Sequence, residues 1–391
     1  MLSCRWKATV AALLLLVCTS AETVRNPAKR AGAGPLFQIV RDGKWGFMNR
    51  GGRVVIAPEF FDERDFFLGL AAVEFPNGKW GYINEKGKLA IPARFDDARD
   101  FTEELTPVRI ARKWGYIDTS GRMVIEPRFQ AAGEFHERLA RIHVWSKVAC
   151  TSGEFTSDDA PLWAFHLLED DKSELPDCFP KGGRFGYIDK NGKVVIAPQF
   201  FVAQDFAEGL AVVRVDETAD SKSGYIDRTG RMVIPPRFNQ AGPFSEGLAA
   251  VETSARVVGN QVMDIAWGFI DKSGALKIPD KYNFAGNFSE GLARVAIKMG
   301  VSVGYIDRDG KMIIAPRFSQ AGDFSDGLAA ACSDECVYID RSGDAALAHV
   351  NAWWPFSDGL AVIGMYAPQV YIDNKGRVIA PYSSGNSLFE R

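Results

Sequence analysis

The sequence predicts an all-β protein, read as nine tandem three-stranded antiparallel meander repeats of about 34 residues in one curved array, with a closed β-propeller as the alternative. Three observations carry this reading. A phrase of Gly, aromatic, aliphatic and Asp or Asn recurs as GFMN at Gly46, GYIN at Gly81, GYID at Gly115, Gly186, Gly224 and Gly304, and GFID at Gly268, with VYID at Val337 and Val370. The offsets between these anchors are 35, 34, 71, 38, 44, 36, 33 and 33 residues, so the basic period is 33–36 and the longer offsets hold insertions. Each phrase runs into Asp/Asn-x-x-Gly, from NRGG at Asn49 to DNKG at Asp373, and short apolar runs of alternating pattern flank every such turn.

Each unit divides into three strands. Strand A is the GLAAVE-like run: Leu70–Val73, Leu210–Val213, Leu248–Val251, Leu292–Val295 and Leu360–Ile363. Strand B is the WGYI segment, and strand C is the KLAI or RMVI segment that ends in Pro and Phe. Runs of four to six residues rich in Val, Ile and aromatics, bounded by Gly and Asp, form strands in preference to helices. At the B–C connection, the first Asp or Asn caps a type I turn through its side-chain oxygen. The Gly supplies the left-handed conformation that follows, giving a tight hairpin with a bulge. DRDG at Asp307 invites a calcium-loop reading, but the other turns lack the second acid and none has the downstream Glu. The Pro after strand C, unable to donate to a ladder, is expected to stop the sheet. FSEGL at Phe244 and Phe288, FSDGL at Phe324 and Phe356, and FAEGL at Phe206 then form a turn whose polar side chains hold the backbone. Its Ser recurs around the array with no His and acid marked out beside any copy, so it is not read as a nucleophile.

Alternation along strand B places Trp80 and Tyr82 on one side and Gly81 and Ile83 on the other. The Gly is expected to leave room for a neighbouring backbone or ring, most simply the Phe of the adjoining PRF segment. The Trp slot holds Trp45, Trp80, Trp114 and Trp267, but elsewhere Phe185, Ser223, Val303, Cys336 and Gln369. Because unpaired polar groups are costly to bury, Ser and Gln in this slot argue that it is part-exposed near the mouth of the A–B hairpin. The four Trp are therefore candidate binding-edge residues, against the plainer reading in which each shields its own hairpin.

KWGYIN, DTSGRMVIEPRF and FSEGLA together resemble the WG (or KWG) repeat family, over roughly residues 36–382. Three motifs recur in fixed order, while only four of nine units keep the Trp-Gly pair. The resemblance implies β-rich repeats and says little about activity.

The remaining segments divide as follows. Residues 1–21 read as a secretory signal: Arg5 and Lys7, an apolar run from Thr9 to Val17 too short to span a bilayer, then small residues. Its removal takes away two cations and no anion, moving the formal charge from −3 to −5. Cys18 would allow a lipoprotein anchor, but Val17 is a poor residue before it. Residues 22–35 form a leader, 36–382 the repeat domain with a large insertion at 146–181, and 383–391 a tail. The acidic balance argues against a nucleic-acid partner, and no stable membrane span is expected in the mature chain.

Insertions at 146–181, 215–222 and 252–265 all fall between strands A and B, as do shorter ones around Pro76 and Lys298. One connection type maps to one edge of a regular stack, so that edge carries the variable loops. Cys150 and Cys178 bracket the largest insertion, and Cys332 and Cys336 bracket the shortest A–B turn. Two disulfides, 150–178 and 332–336, are expected in an exported chain. A metal site would need His partners, and His143 and His166 stand alone, so no metal or cofactor is expected. Within the insertion, Trp163 and Phe165 are further candidates for a binding edge. Three function classes remain: an exported, non-enzymatic module binding a protein or glycan through the A–B edge; a structural scaffold of the cell envelope; and an enzyme. The last would need a marked pair of carboxylates or a triad, and neither stands out from the repeated turns.

Overall fold

The computed structural model describes residues 34–144, 183–218, 220–258, 261–297, 302–364, 369–381 and 383–384. Ala28–Val144 and Phe185–Arg391 form one compact unit; the other, Met1–Pro27 with Trp145–Arg184, has only Gly183 and Arg184 among the described residues. The described residues contain no α-helix. They form nine small antiparallel sheets, here called blades in chain order. Blade 2 shows the plan. A leading strand Asp62–Glu63 pairs with strand A, Leu70–Glu74, then strand B, Trp80–Asn84, then strand C, Leu89–Phe95.

The three expected strands are present in every unit, and the structure adds a fourth. The segment between the PRF Phe and the FSEGL turn forms the leading strand of the next blade. It is two residues long in most blades, and longer at Ala131–His136 and Phe284–Ser289. Blade 9 has three strands, Leu360–Ile363, Val370–Asp373 and Val378–Pro381. Blade 1 takes its fourth from the other end of the chain: Ser383–Ser384 pairs in parallel with Leu36–Arg41. One sequence repeat therefore straddles two blades, giving strands B and C to one sheet and the leading strand and strand A to the next.

Of the two shapes the sequence allowed, the closed ring is formed. Each strand-B aromatic meets the FSEGL-type Phe of the following blade: Tyr82 and Phe101 at 4.9 Å between centroids, Tyr116 and Phe135 at 5.0 Å, Tyr305 and Phe324 at 5.0 Å. Where that aromatic is Tyr, its hydroxyl donates to that blade's backbone, as Tyr116 Oη does to Gly133 O at 2.7 Å. The same contact joins the last blade to the first. Tyr371 lies 5.8 Å from Phe37 and its Oη donates to Gln38 O at 3.0 Å. Phe37, Ile39 and Met48 pack with Leu360 and Tyr371 in one core cluster. Three strands per unit favoured an open array only while the leading strand was uncounted; with it, each unit has the four strands usual for a propeller blade.

The pairing of Trp with Gly has a backbone cause. Trp80 pairs with Phe95 and Tyr82 with Ile91, so one residue of strand B, Gly81, faces three of strand C, Pro92 to Arg94. This is a bulge, and it brings strand C onto the glycine. A Cβ on Gly81 would meet Ile91 O and Ala93 N at 2.8 Å, and across the seven such glycines the nearest strand-C backbone atom lies at 2.5–2.8 Å. The room is thus taken by strand C of the same blade rather than by the Phe. Likewise the Pro does not end strand C, which continues through the bulge to Phe95. Units 8 and 9 support the causal link. With Val337 and Val370 in place of Gly, strand C is short, and Tyr371 pairs with Ala380 beside Val370 with Pro381, one residue for one.

Candidate binding face

Antiparallel connectivity sorts the loops by end. The B–C turns and the turns from leading strand to strand A lie at one end of every blade, and the A–B connections at the other. The turn end is uniform. In all nine B–C turns the Asp or Asn Oδ1 accepts from the backbone N–H groups two and four residues on; for Asp118 these are Ser120 at 3.0 Å and Arg122 at 3.1 Å. The turn glycines have φ between 75 and 88°. FSEGL is a two-residue turn, with Ser245 N to Leu248 O at 2.9 Å and both Glu246 and Gly247 at positive φ. Its acid reaches across to the next blade: Glu208 accepts from Gly247 N at 3.0 Å, and Glu246 from Gly291 N at 3.0 Å. These polar groups are spent on the fold, as the sequence suggested.

The A–B end varies. Blade 3 connects by two residues, Ala111 and Arg112, both at positive φ. Blade 6 instead extends its hairpin into two ten-residue strands, Ala249–Val258 and Gln261–Ile270. Blade 8 is clipped by the Cys332–Cys336 disulfide, with Cα atoms 4.0 Å apart. The segment 145–183 links strands A and B of blade 4. Cys150, Cys178, Trp163 and Phe165 in that segment lie outside the described residues, as do residues 1–21. Apolar side chains stand exposed where strand A leaves the sheet: Val144 at 37%, Val215 at 46% and Ile297 at 47%.

The Trp slot is at this end but is not an exposed ladder. Trp80 and Trp114 are buried, at 7% and 3% exposure, and Trp45 and Trp267 are partly buried. Arg64 lies over the Trp80 ring at 5.4 Å, and Arg99 and Arg109 lie over Trp114 at 5.0 and 6.0 Å. Each Trp also sits opposite an aromatic of strand C: Phe60, Phe95, Phe129 or Tyr282. The argument from Ser223 misled because that hydroxyl is buried and partnered, accepting from Arg214 Nε at 3.0 Å. The Trp slot thus lies near the mouth of the A–B hairpin, as expected, but Trp80 and Trp114 are buried and Trp45 and Trp267 partly so, while Val144, Val215 and Ile297 are among the apolar residues exposed at this end. A signal for the latter exists, an apolar residue at or just past the end of strand A.

Electrostatics at this end follow burial. Asp97 is pushed up by burial, against Arg99, Arg64 and Arg109. Glu252 is also pushed up by burial, against a hydrogen bond from Asn239 Nδ2 at 3.0 Å and the nearby Arg214. Asp96 is held below its usual value by Lys79 Nζ at 2.5 Å. Among the described residues no group of three or more His, Cys, Asp or Glu is placed to hold a metal ion. Nor do they contain a helix long and apolar enough to cross a membrane.

A closed ring of nine small sheets with variable loops at one end defines a nine-bladed β-propeller. The family model described as WG containing repeat matches residues 45–80, 80–114, 114–142, 185–218, 224–254, 267–298 and 304–335. The chain belongs to this WG-repeat family. A search of the curated proteins finds no match. Among solved structures, a eukaryotic initiation factor is similar at 11% identity and a TM-score of 0.50, over 84% of this chain and 89% of that one. Pyrococcus horikoshii acylaminoacyl peptidase is 11% identical with a TM-score of 0.39, over 90% and 52%. BamB from Moraxella catarrhalis is 10% identical with a TM-score of 0.34, over 79% and 98%. The first likeness bears on the fold alone.

Proposed function

We propose that the chain is an exported, non-enzymatic module that binds a protein or glycan partner on the A–B end of its ring. The observation that carries this is the contrast between ends. The turn end repeats one geometry, whereas the A–B connections range from the two residues Ala111 and Arg112 to the ten-residue strands of blade 6 and the long segment 145–183, with Val144, Val215 and Ile297 exposed where strand A ends. Variable loops on a rigid scaffold are where binding residues concentrate. Export is supported by the basic and then apolar character of residues 5–17 and by the Cys332–Cys336 disulfide, which oxidising compartments favour.

The test uses the mature chain and a variant lacking 151–177, with partner capture read by pull-down from cell-surface extract and by glycan array. Loss of capture with an unchanged β-sheet circular dichroism spectrum is the expected result. Capture that persists when both this segment and the blade 6 hairpin tip are removed would end the proposal. If the deletion alters only envelope integrity, the scaffold reading takes its place.

A further inference from the structure

The repeat acts as its own control, because any position can be compared with its counterparts in other blades. At the turn end, blade 4 departs from the repeat rule. The second residue of the leading-strand turn is glycine at 69, 209, 247, 291, 327 and 359, with φ between 78 and 89°. At this position blade 4 has Arg138, at φ 71°. Left-handed backbone costs a non-glycine residue roughly 1 kcal/mol, so its side chain is retained against a backbone penalty. Blade 3 has Glu104 here, and that side chain is accounted for by Lys190 Nζ at 3.7 Å. Among the described residues the Arg138 side chain has no hydrogen-bond or ion-pair partner.

Beside Arg138 stands the residue that follows the B–C turn Asp. Lys190 in blade 4 pairs with Glu103 at 3.6 Å, and Lys272 in blade 6 pairs with Glu208 at 3.1 Å. Arg228 in blade 5, like Arg308 in blade 7 and Arg341 in blade 8, makes no ion pair among the described residues, and it lies beside Glu137. Glu137 gives both oxygens to Gly209 N, at 3.0 and 2.9 Å, and Asp189 Oδ1 takes Asn191 N and Lys193 N. Arg138 and Arg228, both exposed, line one depression of about 260 Å³ together with Glu137, Asp189 and Lys190. The carboxylates and the lysine are engaged by the protein; the two guanidinium groups are left over.

We propose that Arg138 and Arg228 form a subsite for a compact anion, a phosphate or carboxylate group, at the turn end of blades 4 and 5. A guanidinium presents a planar fork of donors that matches either group bidentately, and departures from local rules in an otherwise consistent fold concentrate at functional or strained positions. This subsite lies at the opposite end of the blades from the A–B loops and stands independently of the proposed function above.

The test titrates the full chain by calorimetry with inorganic phosphate and, separately, with glucuronate, at ionic strength held constant with NaCl. The variants are Arg138→Gly, which restores the repeat and removes the strained backbone, and Arg228→Gln. We expect saturable binding of one anion, weakened about tenfold or more in each variant, while Arg138→Gly melts at or above the wild-type temperature. The preferred anion tells a phosphoryl source from an acidic sugar. No saturable binding of either anion by the wild-type chain, or equal binding by Arg138→Gly and wild type, would overturn the assignment.

Discussion

Gly81 shows how one residue sets a whole unit. Strand C bulges toward strand B, and only a residue without a Cβ lets the two backbones approach. Substituting Ala at Gly81 puts a methyl group 2.8 Å from Ile91 O and Ala93 N. We expect a loss of about 1–3 kcal/mol by urea denaturation. Gly51→Ala, where the nearest atom is Asn49 Oδ1 at 3.5 Å, is expected to stay within about 0.5 kcal/mol. Equal effects at the two sites would refute the close-approach argument. The turn aspartates make a second residue-scale case. Asp118, Asp227 and Asp271 are held down to about 2, first by the hydroxyls of Ser120, Thr229 and Ser273 and further by backbone N–H groups. A depressed carboxyl contributes stability above its unfolded value, near 3.9, and loses it as pH falls through the folded value. Melting temperature is therefore expected to fall between about pH 4 and pH 2. Asn49 and Asn84 occupy the same slot naturally, so replacing Asp118, Asp227 and Asp271 together by Asn should flatten that fall; an unchanged pH profile would show that these turns do not cause it.

At the scale of elements, the blades are unequal. Strands B and C of blades 1 to 7 are joined across a bulge that seats the Trp slot against an aromatic of strand C. Blade 8 has a three-residue strand C, Ala345–Leu347, and blade 9 lacks a paired leading strand apart from the Ala352–Ile363 bridge. Local opening is easiest where backbone hydrogen bonds and buried contacts are fewest. Hydrogen exchange should accordingly be fastest, among the C strands, at Ala345–Leu347 and Val378–Pro381. Slower exchange there than at Met232–Phe238 would contradict this ranking. The inter-blade ties also vary with sequence. The acid of the FSEGL turn is Leu68 in blade 2, and the next blade's B–C turn has Thr119 where blades 4 and 6 place Lys190 and Lys272. Both charges are missing at the same interface, as expected if they serve each other.

For the whole molecule, closure is the decisive property. In an open array Tyr371 would stand at a free end. In the ring it is buried at 6% exposure, edge-on to Phe37 and bonded to Gln38 O. We expect Tyr371→Ala to cost about 3–5 kcal/mol, comparable with Tyr225→Ala inside the array, by urea denaturation. A negligible effect at Tyr371 beside a large one at Tyr225 would mean that the ends do not meet in solution.

Much of this architecture was legible in the chain. The hairpin geometry was written in Asp/Asn-x-x-Gly, because a capped type I turn followed by a left-handed glycine depends only on a few consecutive residues. The unit count and the sorting of insertions to one end followed from periodicity and connectivity, which are also properties of order along the chain. What the tertiary structure alone decided involves partners distant in sequence. Tyr371 finds Gln38 across almost the full length of the chain, so no local pattern marks closure. A two-residue leading strand has too few positions to show alternation and exists only because strand A of the following unit lies beside it. The burial of Trp80 and Trp114, and the pairing of Ser223 with Arg214, depend on what packs over them, and a single side chain's polarity does not reveal its partner.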